Sequence, residues 1–208
     1  MSAQTELPLT LPSPACLCLP LRFDPILLRK DLARIVPSEW VAHFNTAQYE
    51  GDWSGVALRS VGGKATQLYP DPTASGAFAP TEVLARCPYF KQVLAAFQCP
   101  IDAARLLTLR AGSSIREHRD YRLGYEDGEV RLHIPIVTDE AVVFVVAGAP
   151  VPMRPGEVWY INVNLPHRVD NASQIDRVHL VLDCIVNDWV RSFFPAAMRE
   201  TGREGQRL

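Results

Sequence analysis

The triplet His118-Arg119-Asp120 sets an imidazole and a carboxylate two positions apart. On an extended strand such positions share a face with Cα atoms roughly 7 Å apart, so both side chains can reach one metal ion. His167 follows Pro166, where a later strand should begin. Two imidazoles and a carboxylate on one face of a metal form the facial triad of non-haem Fe(II) oxygenases and leave the opposite positions open. Alone, the triplet also fits a capping aspartate beside a surface histidine. Arg177 adds to it. Buried among Val178, Leu180 and Leu182, a guanidinium needs a counter-ion, and its planar fork suits a carboxylate. A dicarboxylate that chelates the metal through a 2-oxo acid end and rests its far carboxylate on Arg177 meets both demands.

An internal echo points the same way. Arg131-Leu132-His133-Ile134 and Arg177-Val178-His179-Leu180 share the pattern Arg-x-His-aliphatic. As strands, each sends its arginine and histidine to one face and its aliphatics to the other. Two inward arginines require negative charge in the interior, hence an anionic ligand. The triplet His118-Arg119-Asp120 also matches the catalytic loop of protein kinases. That loop needs Asn five residues after the Asp, where this chain has Tyr125, and no glycine-rich phosphate loop or Asp-Phe-Gly accompanies it.

The elements that must hold these groups are mostly short strands. β-Branched runs at Leu106 to Ala111, Val130 to Thr138, Val142 to Val146, Glu157 to Val163 and Arg177 to Val186 are punctuated by glycines, as in a sandwich or barrel. Trp53 to Val61 reads as a further strand, and Gly62 to Ala79 as a long loop. Helices are expected over Asp24 to Val36, with Asp24 as N-cap, and over Thr81 to Arg86 and Tyr89 to Phe97, split by Pro88. Another is expected over Asp188 to Met198. Gly124 to Gly128 reads as a flexible lid beside the metal. Trp53 and Trp159 are candidates to line a pocket. Arg59, Arg122, Tyr121 and Tyr125 are candidates for a substrate carboxylate, while His43 has no evident partner.

Length and composition set the frame. The chain has 208 residues, 48% hydrophobic, with net charge −2, enough for one core and without the bulk charge of a nucleic-acid or membrane binder. Five cysteines at irregular spacing argue against a disulfide framework, and Cys16-Leu17-Cys18 lacks the second ligand pair of a zinc site. No apolar run approaches a spanning helix, and residues 1–20 lack a basic start, so a cytoplasmic location is expected. We expect a proline-rich leader over 1–20, one domain over 21–198 with its metal core at 103–187, and a flexible tail over 199–208. Oligomeric state has no signature.

Residues 105–187, about 40% of the chain, resemble the aspartyl/asparaginyl β-hydroxylase family of Fe(II)- and 2-oxoglutarate-dependent dioxygenases. The likeness is closer to its bacterial branch, which includes small cis-proline hydroxylases acting on free amino acid. It rests on His118-Arg119-Asp120-Tyr121, Arg131-Leu132-His133-Ile134, Gly156-Glu157-Val158-Trp159, Leu165-Pro166-His167 and Arg177-Val178-His179-Leu180-Val181-Leu182-Asp183. The resemblance implies Fe(II) on His118, Asp120 and His167, and the distal carboxylate of 2-oxoglutarate on Arg177. It puts Arg131 and His133 near the cosubstrate or a substrate carboxylate. His179 shares a strand face with Arg177, which makes it a candidate for 2-oxoglutarate or for core packing. The resemblance further implies a mainly β fold with flanking helices, a double-stranded β-helix (jelly-roll, cupin-like) barrel. O2 would be the second cosubstrate, succinate and CO2 the co-products, and an amino acid or amino-acid residue (Asp-, Asn- or Pro-like) the hydroxylated substrate. Where animal members carry a serine that helps hold 2-oxoglutarate, this chain has Leu107. The alternative is a non-redox cupin-like metal-dependent isomerase or small-molecule binding module, which has no need of Arg177.

Overall fold

In the computed structural model of the chain, residues 13–69 and 76–198 are described. Before the midpoint lie strands β1 (Cys16–Arg22), β2 (Val41–Ala42), β3 (Tyr49–Glu50), β4 (Trp53–Val61) and β5 (Phe78–Pro80). After it come β6 (Ile101–Leu109), β7 (Ser114–His118), β8 (Glu129–Val137), β9 (Val142–Val146) and β10 (Ala149–Pro150). The last three are β11 (Glu157–Ile161), β12 (His167–Asn171) and β13 (Arg177–Ile185). Helices α1 (Pro25–Leu32), α2 (Glu82–Ala85), α3 (Pro88–Ala95) and α4 (Asp188–Phe193) flank them. Two antiparallel sheets result: β1-β11-β8-β13-β6-β4-β2, with β5 on the free side of β4, and β10-β9-β12-β7-β3. This is the mainly β, cupin-like architecture expected.

Alternation on β13 explains the layering. Leu180 and Leu182 join Leu132 and Ile134 of β8 and Val56 and Leu58 of β4 in a core that also takes Leu28, Phe90, Val93 and Val190 from the helices. Each such side chain contributes about 1.5–3 kcal/mol on burial. Val181, on the opposite face, packs with Leu107 and Leu109 of β6 against Ile115, Phe144, Val146 and Val169 of the smaller sheet. The inner layer therefore lies between the sheets, and there the polar residues of β8 and β13 also point.

Several expectations are adjusted. Cys16–Arg22, partly within the expected leader, is a strand paired with β11; the rest of that leader (1–12) and the tail (199–208) lie outside the described residues. The two helices expected around Pro88 are α2 and α3, with Pro88 itself opening α3 at the first turn, where its missing N–H costs nothing. The loop over 62–79 is shortened by β5, and its residues 70–75 are outside the described set. Asp24 caps α1 as expected, accepting from the amides of Ile26 and Leu27. Among the described residues no helix is long and apolar enough to cross a membrane.

Candidate metal centre and anion pocket

β7 and β12 pair so that His118 and His167 stand directly opposite, their ring centroids 4.2 Å apart. Asp120 is not on the strand, as the i, i+2 argument assumed, because β7 ends at His118. It is brought back by its own amide, which donates to the Val163 carbonyl at 2.9 Å, and by Arg131, which binds its Oδ2. One potential ligand atom from each of His118, Asp120 and His167 lies within 4.8 Å of the others. The Nδ1 of His118 contacts the Arg116 carbonyl at 2.8 Å, and that of His167 the Leu165 carbonyl at 3.0 Å. A carbonyl only accepts, so each Nδ1 carries the proton and each Nε2 is left as a lone-pair donor. Burial pushes His167 down to about 4, keeping its ring neutral at ordinary pH. Two imidazoles with oriented Nε2 atoms and one carboxylate fit a first-row divalent cation with open positions.

Arg177 lies in the same cavity, which has a volume of about 630 Å³. It is 2% exposed, and its Nε has no partner. Among the described residues no carboxylate comes within 4.0 Å of it, and its guanidinium carbon lies 5.8 Å from the centre of the Phe144 ring. Burial alone lowers its pKa to about 9. Beside it, His133 and His179 face each other through Nδ1 atoms 3.3 Å apart, and His133 Nε2 is buried without a partner. Burial first, then the positive charge of Arg177, holds both imidazoles well below their usual range. Around Arg177 the described residues supply a cation and neutral imidazoles but no paired carboxylate.

The other arginine of the echo behaves differently. Arg131 is set opposite Asp183 across β8 and β13, with Nε to Oδ1 at 2.7 Å and Nη2 to Oδ2 at 3.1 Å. The fully buried Arg105 of β6 reaches the same carboxylate at 2.7 Å. Burial would raise the Asp183 pKa, but the two guanidiniums outweigh it and hold the carboxyl far below the usual range. Of the two inward arginines of the echo, Arg131 is therefore neutralised by the protein itself, and among the described residues Arg177 has no carboxylate partner. Asp183 was visible in the sequence as a charge on the inward phase of an aliphatic strand; Arg105, likewise inward on β6, carried the same signal.

Other candidates divide. Trp53, Arg122 and Tyr121 line the cavity; Trp159 does not, its indole N–H being taken by Glu157 at 2.8 Å. Arg59 points elsewhere and donates to the Ile101 carbonyl at 2.6 Å. Tyr125 is buried under Phe194, with ring centroids 4.1 Å apart, and is no substrate ligand. The expected lid at 124–128 is a capped turn instead, tied to Asn164 by a 2.6 Å bond to Asp127. A Cβ on Gly124 would meet that same amide at 2.4 Å, so the Asn164 side chain would have to shift to admit one. His43, for which no partner was evident, lies in the cavity wall and stacks on Trp53 at 3.6 Å. Tyr69 closes the same wall, 4.8 Å from His43 between ring centroids. Neither was legible, since the contact joins distant loops. Leu107 faces inward, directly across from His179.

With the geometry in place, comparisons with known proteins agree. The profile of the aspartyl/asparaginyl β-hydroxylases matches residues 26–186. L-Proline cis-4-hydroxylase of Rhizobium meliloti (strain 1021) is 25% identical over 177 residues, 83% of this chain; the chain spans 61% of that protein's length. Among solved structures, the non-haem α-ketoglutarate-dependent carbocyclase SnoK of nogalamycin biosynthesis shares the fold with TM-score 0.55 at 12% identity, over 82% of this chain and 80% of that one. HygX of Streptomyces hygroscopicus, solved with nickel and 2-oxoglutarate bound, does so with TM-score 0.51 at 14% identity, over 83% of each chain. The profile match runs from α1 through the end of β13 and takes in every strand that carries the triad and Arg177, and on that match the chain belongs to the aspartyl/asparaginyl β-hydroxylase family.

Proposed function

We propose that the chain is an Fe(II)- and 2-oxoglutarate-dependent dioxygenase that hydroxylates a C–H bond of a small amino acid. The observation that carries this reading is the union, in one cavity, of a two-histidine, one-carboxylate cluster with a buried arginine that has no counter-ion among the described residues. His118, Asp120 and His167 are assigned to the iron and Arg177 to the distal carboxylate of the cosubstrate. When bound, iron and 2-oxoglutarate supply with O2 the oxidising power for hydroxylation, releasing succinate and CO2.

The protein's own groups bind, orient and shield. Arg177 receives a carboxylate where water is excluded by Phe144, Val169 and Leu107, so the charge-assisted pairing is strong. His133 and His179, kept neutral by burial, offer a donor beside that carboxylate without adding charge. His118 and His167 keep their Nε2 atoms turned to one point through their Nδ1 bonds to backbone. The wall of His43, Trp53 and Tyr69 confines the substrate within the cavity.

For the substrate, the support is the proline hydroxylase relative and a cavity whose volume suits the cosubstrate plus one small molecule. A free amino acid, proline foremost, is the assigned class. Five free thiols fit a reducing, cytoplasmic setting. The test is to incubate the chain with Fe(II), 2-oxoglutarate and a panel of free amino acids and to follow succinate by NMR. Substrate-stimulated succinate with a product 16 mass units heavier is expected. Absence of any 2-oxoglutarate turnover, with no thermal shift on adding metal and 2-oxoglutarate, would overturn the reading.

A further inference from the structure

We propose that Asp183 is a positioning residue for the metal centre: by anchoring Arg131, it leaves one oxygen of Asp120 free to face the ion. The inference rests on the assignment of His118, Asp120 and His167 to the metal.

A guanidinium and a carboxylate pair best through two parallel N–H···O bonds. If Arg131 met Asp120 that way, both carboxylate oxygens would be engaged and the metal would compete with an arginine for its ligand. The structure shows a different arrangement. Nε and Nη2 of Arg131, one whole edge of the fork, lie on Asp183 at 2.7 and 3.1 Å. Held there, Arg131 turns Nη1 to Asp120, where it meets Oδ2 alone. The other oxygen, Oδ1, stays on the side of His118, 3.8 Å from its Nε2. Asp120 sits beyond the end of β7 with a side chain 31% exposed, so little else limits its rotation.

Asp183 can serve as anchor because its own place is set three ways. It is directly across from Arg131 in the β8–β13 register. It is 5% exposed. Its Oδ2 is also held by Arg105 at 2.7 Å. Arg105 lies under the Tyr69 ring and, among the described residues, makes no bond to Asp120. It shares the anchor but not the contact with the metal ligand, which makes it a control.

The test is Mn(II) binding by titration calorimetry on the full chain, with thermal melting to establish that each variant is folded. Asp183→Asn should weaken Mn(II) by about 10- to 100-fold, as loss of an outer partner of a ligand does. Asp183→Glu keeps the charge but displaces Arg131 by one methylene, and should weaken Mn(II) in the same direction even if the Asn variant fails to fold. Arg105→Leu should lower the melting temperature yet leave Mn(II) affinity within about two-fold. Mn(II) affinity unchanged in Asp183→Asn or, should that variant not fold, in Asp183→Glu overturns the proposal. So does an Arg105→Leu loss equal to that of Asp183→Asn, which would mark a merely structural role. Failure of the unaltered chain to bind Mn(II) would instead overturn the metal assignment, and this inference with it.

Discussion

Arg177, in the role proposed for it, shows most plainly how one residue can be bad for the fold and useful to the site. A guanidinium that is 2% exposed, without a carboxylate beside it, destabilises the unliganded protein. Replacing it by an apolar side chain of similar length should therefore help the empty protein. Arg177→Met is expected to raise apo stability by about 1–3 kcal/mol, read as a higher melting temperature, and to abolish the further rise that 2-oxoglutarate gives to the Mn(II)-loaded protein. A variant that melts lower, or keeps the cosubstrate response, would contradict the role given to Arg177. This residue was legible from its type and its aliphatic neighbours alone. Arg131 had an identical local signature, and local signature could not show that Asp183 waits across the sheet. His43 was not legible at all, because its stacking on Trp53 is a contact between a loop and a strand.

At the level of elements, the period-2 alternation of β8 and β13 carried most of the information. It separates Arg131 and His133 from Leu132 and Ile134, and Arg177 and His179 from Val178 and Leu180, and the register confirms those faces. Strand ends were harder. β7 stops at His118, so the second metal-facing residue of its triplet depends on a hydrogen bond to Val163, which no periodicity encodes. β1 was hidden by prolines, yet it pairs with β11 and is fastened where the Phe23 amide donates to the Gly156 carbonyl at 2.9 Å. Gly156 has φ +80°, and a Cβ there would lie 2.1 Å from the Phe23 carbonyl oxygen. Gly156→Ala is expected to cost roughly 1–3 kcal/mol from the left-handed backbone alone, with the clash adding to it. Hydrogen exchange should then quicken in β1 and β11 first. Unaltered protection there would show that the edge is not pinned at this glycine.

For the molecule as a whole, buried histidines tie stability to pH. Burial holds His43 and His167 near 4, and His133 and His179 also fall well below the ordinary 6.5. In the unfolded chain these rings take up protons as pH drops through about 6.5, while the folded chain keeps them neutral. The unfolded state then binds more protons, so stability falls as pH goes from about 6.5 towards 4 and is unaffected by these groups at higher pH. The urea midpoint of the apo protein should decline steadily across that window; a midpoint that holds constant from pH 7 to pH 5 would contradict it. The same arrangement gives the loaded protein its advantage: metal and 2-oxoglutarate at about 100 times their dissociation constants should each add about 2.7 kcal/mol. The most direct test is a crystal structure of the chain with Mn(II) and 2-oxoglutarate, the metal located by anomalous scattering. The account predicts one ion bound by Nε2 of His118, Nε2 of His167 and a single oxygen of Asp120, with the far carboxylate of 2-oxoglutarate on Arg177. An ion at other ligands, or a cosubstrate whose carboxylates leave Arg177 untouched, would contradict it.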